Sequence, residues 1–227
     1  MALNQSDLAA PSPTFYSRLA QAKSRVLVLD YDGTLAPFRV ERLNATPYPG
    51  IRERITRLIE GGQTRIVMIS GRSLDDLLTL LTINPLPELW ASHGWEHLDH
   101  NGKRHNFRLP TTACQGLAKA RTRVAKLLPM AAAELKPASV AVHWRGEPRA
   151  EAAGRKLITM EAWTPIAADY NLEIHPFDEG LELRVPGRSK GTAIHDIIKH
   201  SPKNTLVAYL GDDVTDEDAF RSLPQKA

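Results

Sequence analysis

Two aspartates, Asp30 and Asp32, flank Tyr31 directly after the apolar run VLVL. Side chains alternate along an extended strand, so both carboxylates can point one way while the tyrosine points the other. Like charges this close call for a cation or a shared proton. Gly33 allows the backbone to bend sharply around an oxyanion, and Thr34 offers it a hydroxyl and an amide. Taken alone, Asp-Gly-Thr after an apolar run reads as a polar turn. A second group of acids changes that reading, because TLVAYL runs straight into GDDVTDED with Asp212 first. Hard oxygen ligands at this density suit magnesium, which needs few protein carboxylates and keeps water or phosphate oxygens around it. Asp213 and Asp216 are candidates to support the metal acids from behind, whereas Glu217 and Asp218 suit the negative charge favoured at a helix N-terminus. Ser70, ahead of Gly71 and Arg72, can donate to a phosphate oxygen or cap the next helix. Lys190, after Gly187-Arg188-Ser189, can neutralise a nucleophilic carboxylate and a phosphate together.

The elements that must position these groups alternate in kind. Val26 to Leu29 is the continuous apolar run of a strand covered on both faces. IRERITRLIE sets Ile51, Ile55, Leu58 and Ile59 on one helical stripe, and Gly61-Gly62 stops it. RIVMIS predicts a second buried strand, Ser73 caps a helix over LDDLLTLL, and LWAS predicts a third strand. From about residue 98 the rhythm changes, starting with a hairpin turn at Asn101-Gly102. A helix around Leu117, Val124 and Leu128 follows, then the alternating strand SVAVHWR, a helix from Ala150 to Trp163, and strands at NLEIH and LELRV. The parallel rhythm resumes with a helix over Gly191 to Lys199, the strand TLVAYL and a helix within TDEDAFRSL. This order predicts a doubly wound α/β domain interrupted by a smaller α+β insertion, and ligands of such open sheets bind beyond the strands' carboxyl ends, where the acids collect.

Composition narrows the classes. The 227 residues are 42% hydrophobic and 24% charged, which suits a folded core and excludes a disordered or fibrous chain. A formal net charge of +3, with no dense Lys/Arg run, argues against nucleic acid and fits a small anionic substrate. The single cysteine, Cys114, excludes an internal disulfide and is expected as a buried or half-buried thiol on its helix. The opening MALNQSDLAAPSPTF has neither a basic n-region nor an apolar h-region, and no apolar stretch is long enough to span a bilayer. The expectation is a cytoplasmic protein without a membrane partner.

In order and context, Asp30-Tyr31-Asp32-Gly33-Thr34, Ser70, Lys190 and Asp212 resemble the four motifs of the haloacid-dehalogenase superfamily, and the resemblance spans nearly the whole chain. It implies that Asp30 attacks phosphorus, Asp32 serves as general acid and base, and Ser70 and Lys190 hold the phosphoryl group. Magnesium would lie among Asp30, Asp32 and Asp212, with Gly33, Thr34, Gly71 and Arg72 beside the phosphate. DYDGTLAPF, ISGR, HGWEH, the ELK-to-HWR segment, LELRVPGRSKG and GDDVTDEDAF are similar, more narrowly, to the trehalose-6-phosphate phosphatase family. That resemblance implies a doubly wound, mainly parallel core at residues 1–105 and 186–227, with an α+β cap of the C2 type at 106–185. It also implies hydrolysis of trehalose 6-phosphate, with Glu134, Lys136, His143, Arg145 and Glu182 holding sugar hydroxyls or positioning the cap. Alternation supports part of this, since His143 and Arg145 share a strand face opposite Val140, Val142 and Trp144. Trp144 stands where the family commonly has tyrosine, and the family's further strand and helix would fall beyond Ala227. Alternatives are another glycosyl phosphate, such as glucosyl- or mannosyl-glycerate phosphate or sucrose phosphate, a phosphoacceptor receiver module, or a non-catalytic regulatory domain. Oligomeric state is not legible.

Overall fold

The computed structural model describes residues 13–128, 133–177 and 179–224. Its larger sheet has six strands: β1 (Arg25–Leu29), β2 (Arg65–Ile69), β3 (Glu88–Ala91), β4 (Glu96–Leu98), β5 (Arg104–Asn106) and β10 (Leu206–Leu210). They lie in the order β10-β1-β2-β3-β4-β5. The first four are parallel, and β4 and β5 add an antiparallel edge. The β4–β5 hairpin is closed where expected: Gly102 takes φ 76°, and the Asp99 carboxylate accepts from the amides of Asn101 and Lys103.

Residue parity explains the two layers around this sheet. Leu29, Ile66 and Met68 pack against helices α2 (Ile51–Glu60) and α3 (Leu74–Leu81) through Ile55, Leu74 and Leu77. Their neighbours Val26, Val28, Val67 and Ile69 face the other way, towards Ala193, Ile194 and Ile197 of α6 (Lys190–Lys199) and Ala219 of α7 (Glu217–Ser222). A strand with both faces covered has no use for polar residues between its ends, which is why its sequence is an unbroken apolar run.

The second sheet is antiparallel, in the order β6-β7-β9-β8, from β6 (Ala133–Lys136), β7 (Ser139–His143), β8 (Glu173–Phe177) and β9 (Gly180–Arg184). One face carries Val140, Val142, Leu181 and Leu183 and is covered by α4 (Thr111–Leu127) and α5 (Arg149–Tyr170). Trp163 is wholly buried there, and its indole N–H donates to the Ala120 carbonyl at 3.3 Å, joining the two helices. The opposite face is left for polar groups. Register sets Glu134 beside Ala141 and Ala141 beside Glu182, with Lys136, Ser139 and Arg184 in the next row.

The expected buried thiol is not found: Cys114 is exposed. The buried stripe of α4 runs through Ala113, Gly116, Leu117, Ala120 and Val124. Cys114 lies one residue, about 100° of rotation, off that stripe.

Candidate active site

The chain turns hard after β1. The amides of Leu35 and Ala36 return to the Tyr31 carbonyl, and that of Gly33 to the Ala36 carbonyl. The Tyr31 side chain is fully buried, donating from its hydroxyl to the Ala45 carbonyl at 2.7 Å, while Asp30 is buried on the other side of the turn. Gly33 has φ 84°, and a Cβ there would overlap the Asp212 carboxylate. Glycine is therefore what lets the loop after β10 approach the loop after β1. Thr34 seals the approach by donating to Asp212 Oδ1 at 3.1 Å.

Lys190 opens α6 behind its cap Ser189, and only 4% of its surface is exposed. Its ammonium donates to Asp30 Oδ1 at 2.7 Å and to Asp216 Oδ1 at 2.6 Å. Asp216 also accepts from the Tyr209 hydroxyl and from the backbone amides of Asp212 and Asp213. Asp30, Asp212 and Asp216 can each bring an oxygen within 4.8 Å of the others. Burial, with Asp216 adding to it and Lys190 opposing, pushes the Asp30 carboxyl from 3.8 up to about 7. Asp212 is raised too, by burial and then by its acidic neighbours, against the Thr34 hydrogen bond. One lysine thus leaves excess negative charge among hard carboxylate oxygens, and a small divalent cation fits such a donor set.

The acid that joins Asp30 and Asp212 is Asp216, not Asp32. Arg72 takes Asp32 in a two-pronged grip, Nε to Oδ2 and Nη2 to Oδ1, both 2.7 Å. Ser70 is buried at the end of β2, and its Oγ accepts from the Arg72 amide at 3.1 Å. It does not cap α3; Ser73 does, accepting from the Asp76 amide. Asp213 caps the short turn before α7, accepting from the Val214 amide.

The polar face of the second sheet looks onto these groups across a cleft of about 760 Å³. Asp30, Asp32, Ser70, Gly71, Arg72 and Lys190 line one side, and Glu134, Lys136, His143, Arg145, Glu182 and Arg184 the other. Glu134 is held by His143 at 3.0 Å and by Arg42 at 3.1 Å. Arg145 pairs with Glu179 at 3.2 Å and lies over the Phe38 ring. Glu182 is almost wholly buried: Oε1 accepts from Lys136 at 2.9 Å and Ser139 at 2.7 Å, and Oε2 is 2.7 Å from Arg184 and 3.0 Å from His93. Burial would raise its carboxyl, but Lys136 and Arg184 outweigh that and hold it well below its ordinary range. Such a group is fully occupied, which suits it to aligning its neighbours. Sequence reasoning did not single out Arg184, although it stands two residues after Glu182 in the LELR segment, in the same row as Lys136.

A family profile for trehalose-phosphatase matches residues 28–227. The chain is 32% identical over 213 residues to a bifunctional trehalose-6-phosphate synthase/phosphatase of Thermoproteus tenax, covering 93% of this chain and 29% of that protein. It is 29% identical over 194 residues to a trehalose-6-phosphate phosphatase of Escherichia coli, covering 84% of this chain and 70% of that one. An uncharacterized glycosyl hydrolase of Mycobacterium tuberculosis is 32% identical over 214 residues, covering 89% of this chain and 16% of that protein. Among solved structures, the C-terminal domain of trehalose-6-phosphate phosphatase from C. albicans superposes with a TM-score of 0.80 at 23% identity, covering 92% of this chain and 77% of that one.

Proposed function

The chain belongs to the trehalose-phosphatase family, and we propose from this premise that it hydrolyses trehalose 6-phosphate to trehalose and inorganic phosphate. One observation carries the reading: a buried Asp30–Lys190 pair, fitted for phosphoryl chemistry, shares a single cleft with a sheet face of Glu, Lys, His and Arg fitted for sugar hydroxyls. The core at residues 1–105 and 186–227 supplies the chemistry and the cap at 106–185 the recognition. No described helix is long and apolar enough to cross a membrane.

In the proposed reaction an Asp30 oxygen attacks phosphorus and the bond to the sugar oxygen breaks, leaving an aspartyl phosphate and trehalose. Asp32 gives a proton to the departing alkoxide, which is too basic to leave unaided. Asp32 then takes a proton from water as that water attacks phosphorus, and the bond to Asp30 breaks to release phosphate. Splitting one difficult displacement into two is what a covalent route gains. Ser70 and Lys190 hold the phosphoryl oxygens, with the backbone around Gly33, Thr34 and Gly71 beside them. Arg72 keeps Asp32 in place until phosphoryl oxygens, arriving next to Ser70, compete for its guanidinium. Magnesium would be held by the carboxylates of Asp30 and Asp212, with Asp216 behind them binding Lys190 and the amides of Asp212 and Asp213, and when bound it supplies positive charge against the transferring group. Glu134, Lys136, His143, Arg145 and Arg184 meet the sugar, and Glu182 keeps Lys136 and Arg184 in register.

Phosphate release from a panel of glycosyl phosphates, with and without magnesium, tests the assignment. Turnover on trehalose 6-phosphate alone supports it, and turnover only on a glycosylglycerate phosphate or sucrose phosphate keeps the chemistry and replaces the substrate. Stoichiometric phosphorylation without release of phosphate would overturn both.

A further inference from the structure

The HGWEH segment contains a histidine to which none of the roles above is assigned. His93 lies in a 3₁₀ turn just beyond β3, and both it and Ser92 have positive φ, 55° and 49°. Successive non-glycine residues in that region cost energy and persist only where their surroundings fix them. Here the surroundings are the segment beside the phosphoryl site. The Ser92 amide donates to the Arg72 carbonyl at 2.7 Å and the His93 amide to the Ser70 carbonyl at 3.0 Å. The Ser92 hydroxyl donates to Glu96 at 2.6 Å, and the same Glu96 oxygen accepts the Leu74 amide at the start of α3. The imidazole lies against Gly71 so closely that a Cβ on Gly71 would collide with it.

With its backbone tied to Ser70 and Arg72, His93 sends its side chain across the cleft. Nε2 is 3.0 Å from Glu182 Oε2 on β9, with 9% of the histidine side chain and 2% of the glutamate side chain exposed. Burial pushes the imidazole down to about 4, so at neutral pH it is an uncharged ring donating Nε2–H to a carboxylate that Lys136 and Arg184 keep ionised. The Arg42–Glu134 pair also crosses the cleft, but its arginine side chain is 47% exposed, and exposed pairs hold weakly.

We propose that His93 is a positioning residue, latching the sugar-reading face of the cap through Glu182 to the Ser70–Arg72 segment that receives the phosphoryl group. It deepens, and rests on, the reading of the cleft as a sugar-phosphate site. Arg184 shares Glu182 Oε2 with the latch and Lys136 holds Oε1 of the same carboxylate, so the latch helps to set the distance between the sugar's contacts and its phosphate. Binding energy from a remote part of a substrate aids reaction only if the two parts are held in register.

The test uses the full chain and two substitutions. His93→Asn keeps a residue tolerant of left-handed backbone but too short to reach Glu182, whereas His93→Gln carries an amide nitrogen out towards the position of Nε2. The expected result for His93→Asn is a rise in KM for trehalose 6-phosphate of about tenfold, the loss of one hydrogen bond to a charged group, exceeding any fall in kcat. Hydrolysis of p-nitrophenyl phosphate should stay within about twofold of wild type by the same reckoning, and His93→Gln should recover most of the KM. Equal losses on both substrates, no recovery by glutamine, or an unchanged KM in His93→Asn would each overturn the latch. Hydrogen exchange without substrate gives an independent readout: the amides of Gly180–Arg184 should exchange faster in His93→Asn than in wild type, and unaltered protection refutes the proposal. If the wild type releases no phosphate from trehalose 6-phosphate, the substrate reading fails, and the exchange experiment still decides the latch.

Discussion

Replacing Asp30 by Asn should abolish turnover and, in the absence of metal, make the protein more stable. The Asp30 carboxyl is raised from 3.8 to about 7 because burial and Asp216 oppose its charge more than Lys190 favours it. An acid raised on folding subtracts stability wherever it must ionise, so the cost is absent below the unfolded value and grows as pH climbs towards the folded one. At 1.36 kcal/mol per pH unit the full cost is about 4 kcal/mol at pH 8 and under about 2 kcal/mol at pH 5. Asparagine keeps the shape and avoids that cost, while Lys190 retains Asp216. Urea unfolding of both proteins in chelator, at pH 5 and pH 8, measures the gap, expected to favour Asp30→Asn and to widen with pH. Adding magnesium at pH 8 should narrow or reverse it, since only the wild-type carboxylate attracts the cation. An Asn variant no more stable than wild type at pH 8 in chelator, or a gap indifferent to pH, would refute the view that this acid is held against its own burial for the sake of the site.

The other expectations concern the neighbouring groups. Asp32→Ala should slow release from trehalose 6-phosphate by roughly 10²–10⁴-fold while affecting p-nitrophenyl phosphate far less, because only the sugar alkoxide needs a proton to leave; equal losses would mean that Asp32 acts by holding Arg72. Gly33→Ala puts a Cβ into the Asp212 carboxylate at φ 84°, so the magnesium concentration for half activity should rise on the order of tenfold or more, and an unchanged magnesium titration would contradict the proposed ligand set. Glu134 is lowered from 4.5 to about 2, burial being outweighed by His143, Lys136 and Arg42. Its stabilisation is therefore complete above pH 4.5 and lost as pH falls through 2. The unfolding free energy of wild type should exceed that of Glu134→Gln by up to about 3 kcal/mol at pH 6 and by under about 1 kcal/mol at pH 2; a gap that does not shrink with acid would show that the carboxylate's partners contribute little.

Much of the fold was legible because apolar periodicity records which faces are covered. VLVL and RIVMI alternate between two different hydrophobic layers, and that requirement writes itself as an unbroken apolar run. Helix ends were less legible. Sequence pattern predicts the cap's second helix only as far as Trp163, but α5 continues through Pro165 to Tyr170, because Ile166, Ala167 and Tyr170 still face the cap core and reward the extra turns. The error over Cys114 is of the same kind: helical spacing marks a stripe, and a residue beside the stripe is not on it.

The site was legible as a set of residues and much less so as a set of partners. Asp30, Asp32, Ser70 and Lys190 line the cleft beyond the carboxyl ends of the sheet, and Asp212 can bring an oxygen within 4.8 Å of Asp30. What the string GDDVTDED does not tell is which acids turn inward. A 3₁₀ turn decides it, burying Asp216 under Lys190 and leaving Asp213 as a cap. One signal was available: Gly211 stands just before the acids, and a Cβ there would run into the Asp216 carboxylate. The same holds across the cleft, where alternation offered His143 and Arg145 as a polar face but gave no reason to join Glu182 to His93, 89 positions earlier. Such pairs are set by how the inserted sheet is laid over the core, a tertiary fact that no local periodicity encodes. Electrostatics inherits the same blindness. Asp30 and Asp32 look interchangeable in DYD, yet one is buried against a lysine and pushed upward while the other is gripped by an arginine nearer the surface. The nucleophile and acid proposed for these two positions need different surroundings, and those surroundings arrive from α6 and from the segment after β2, not from the residue between them.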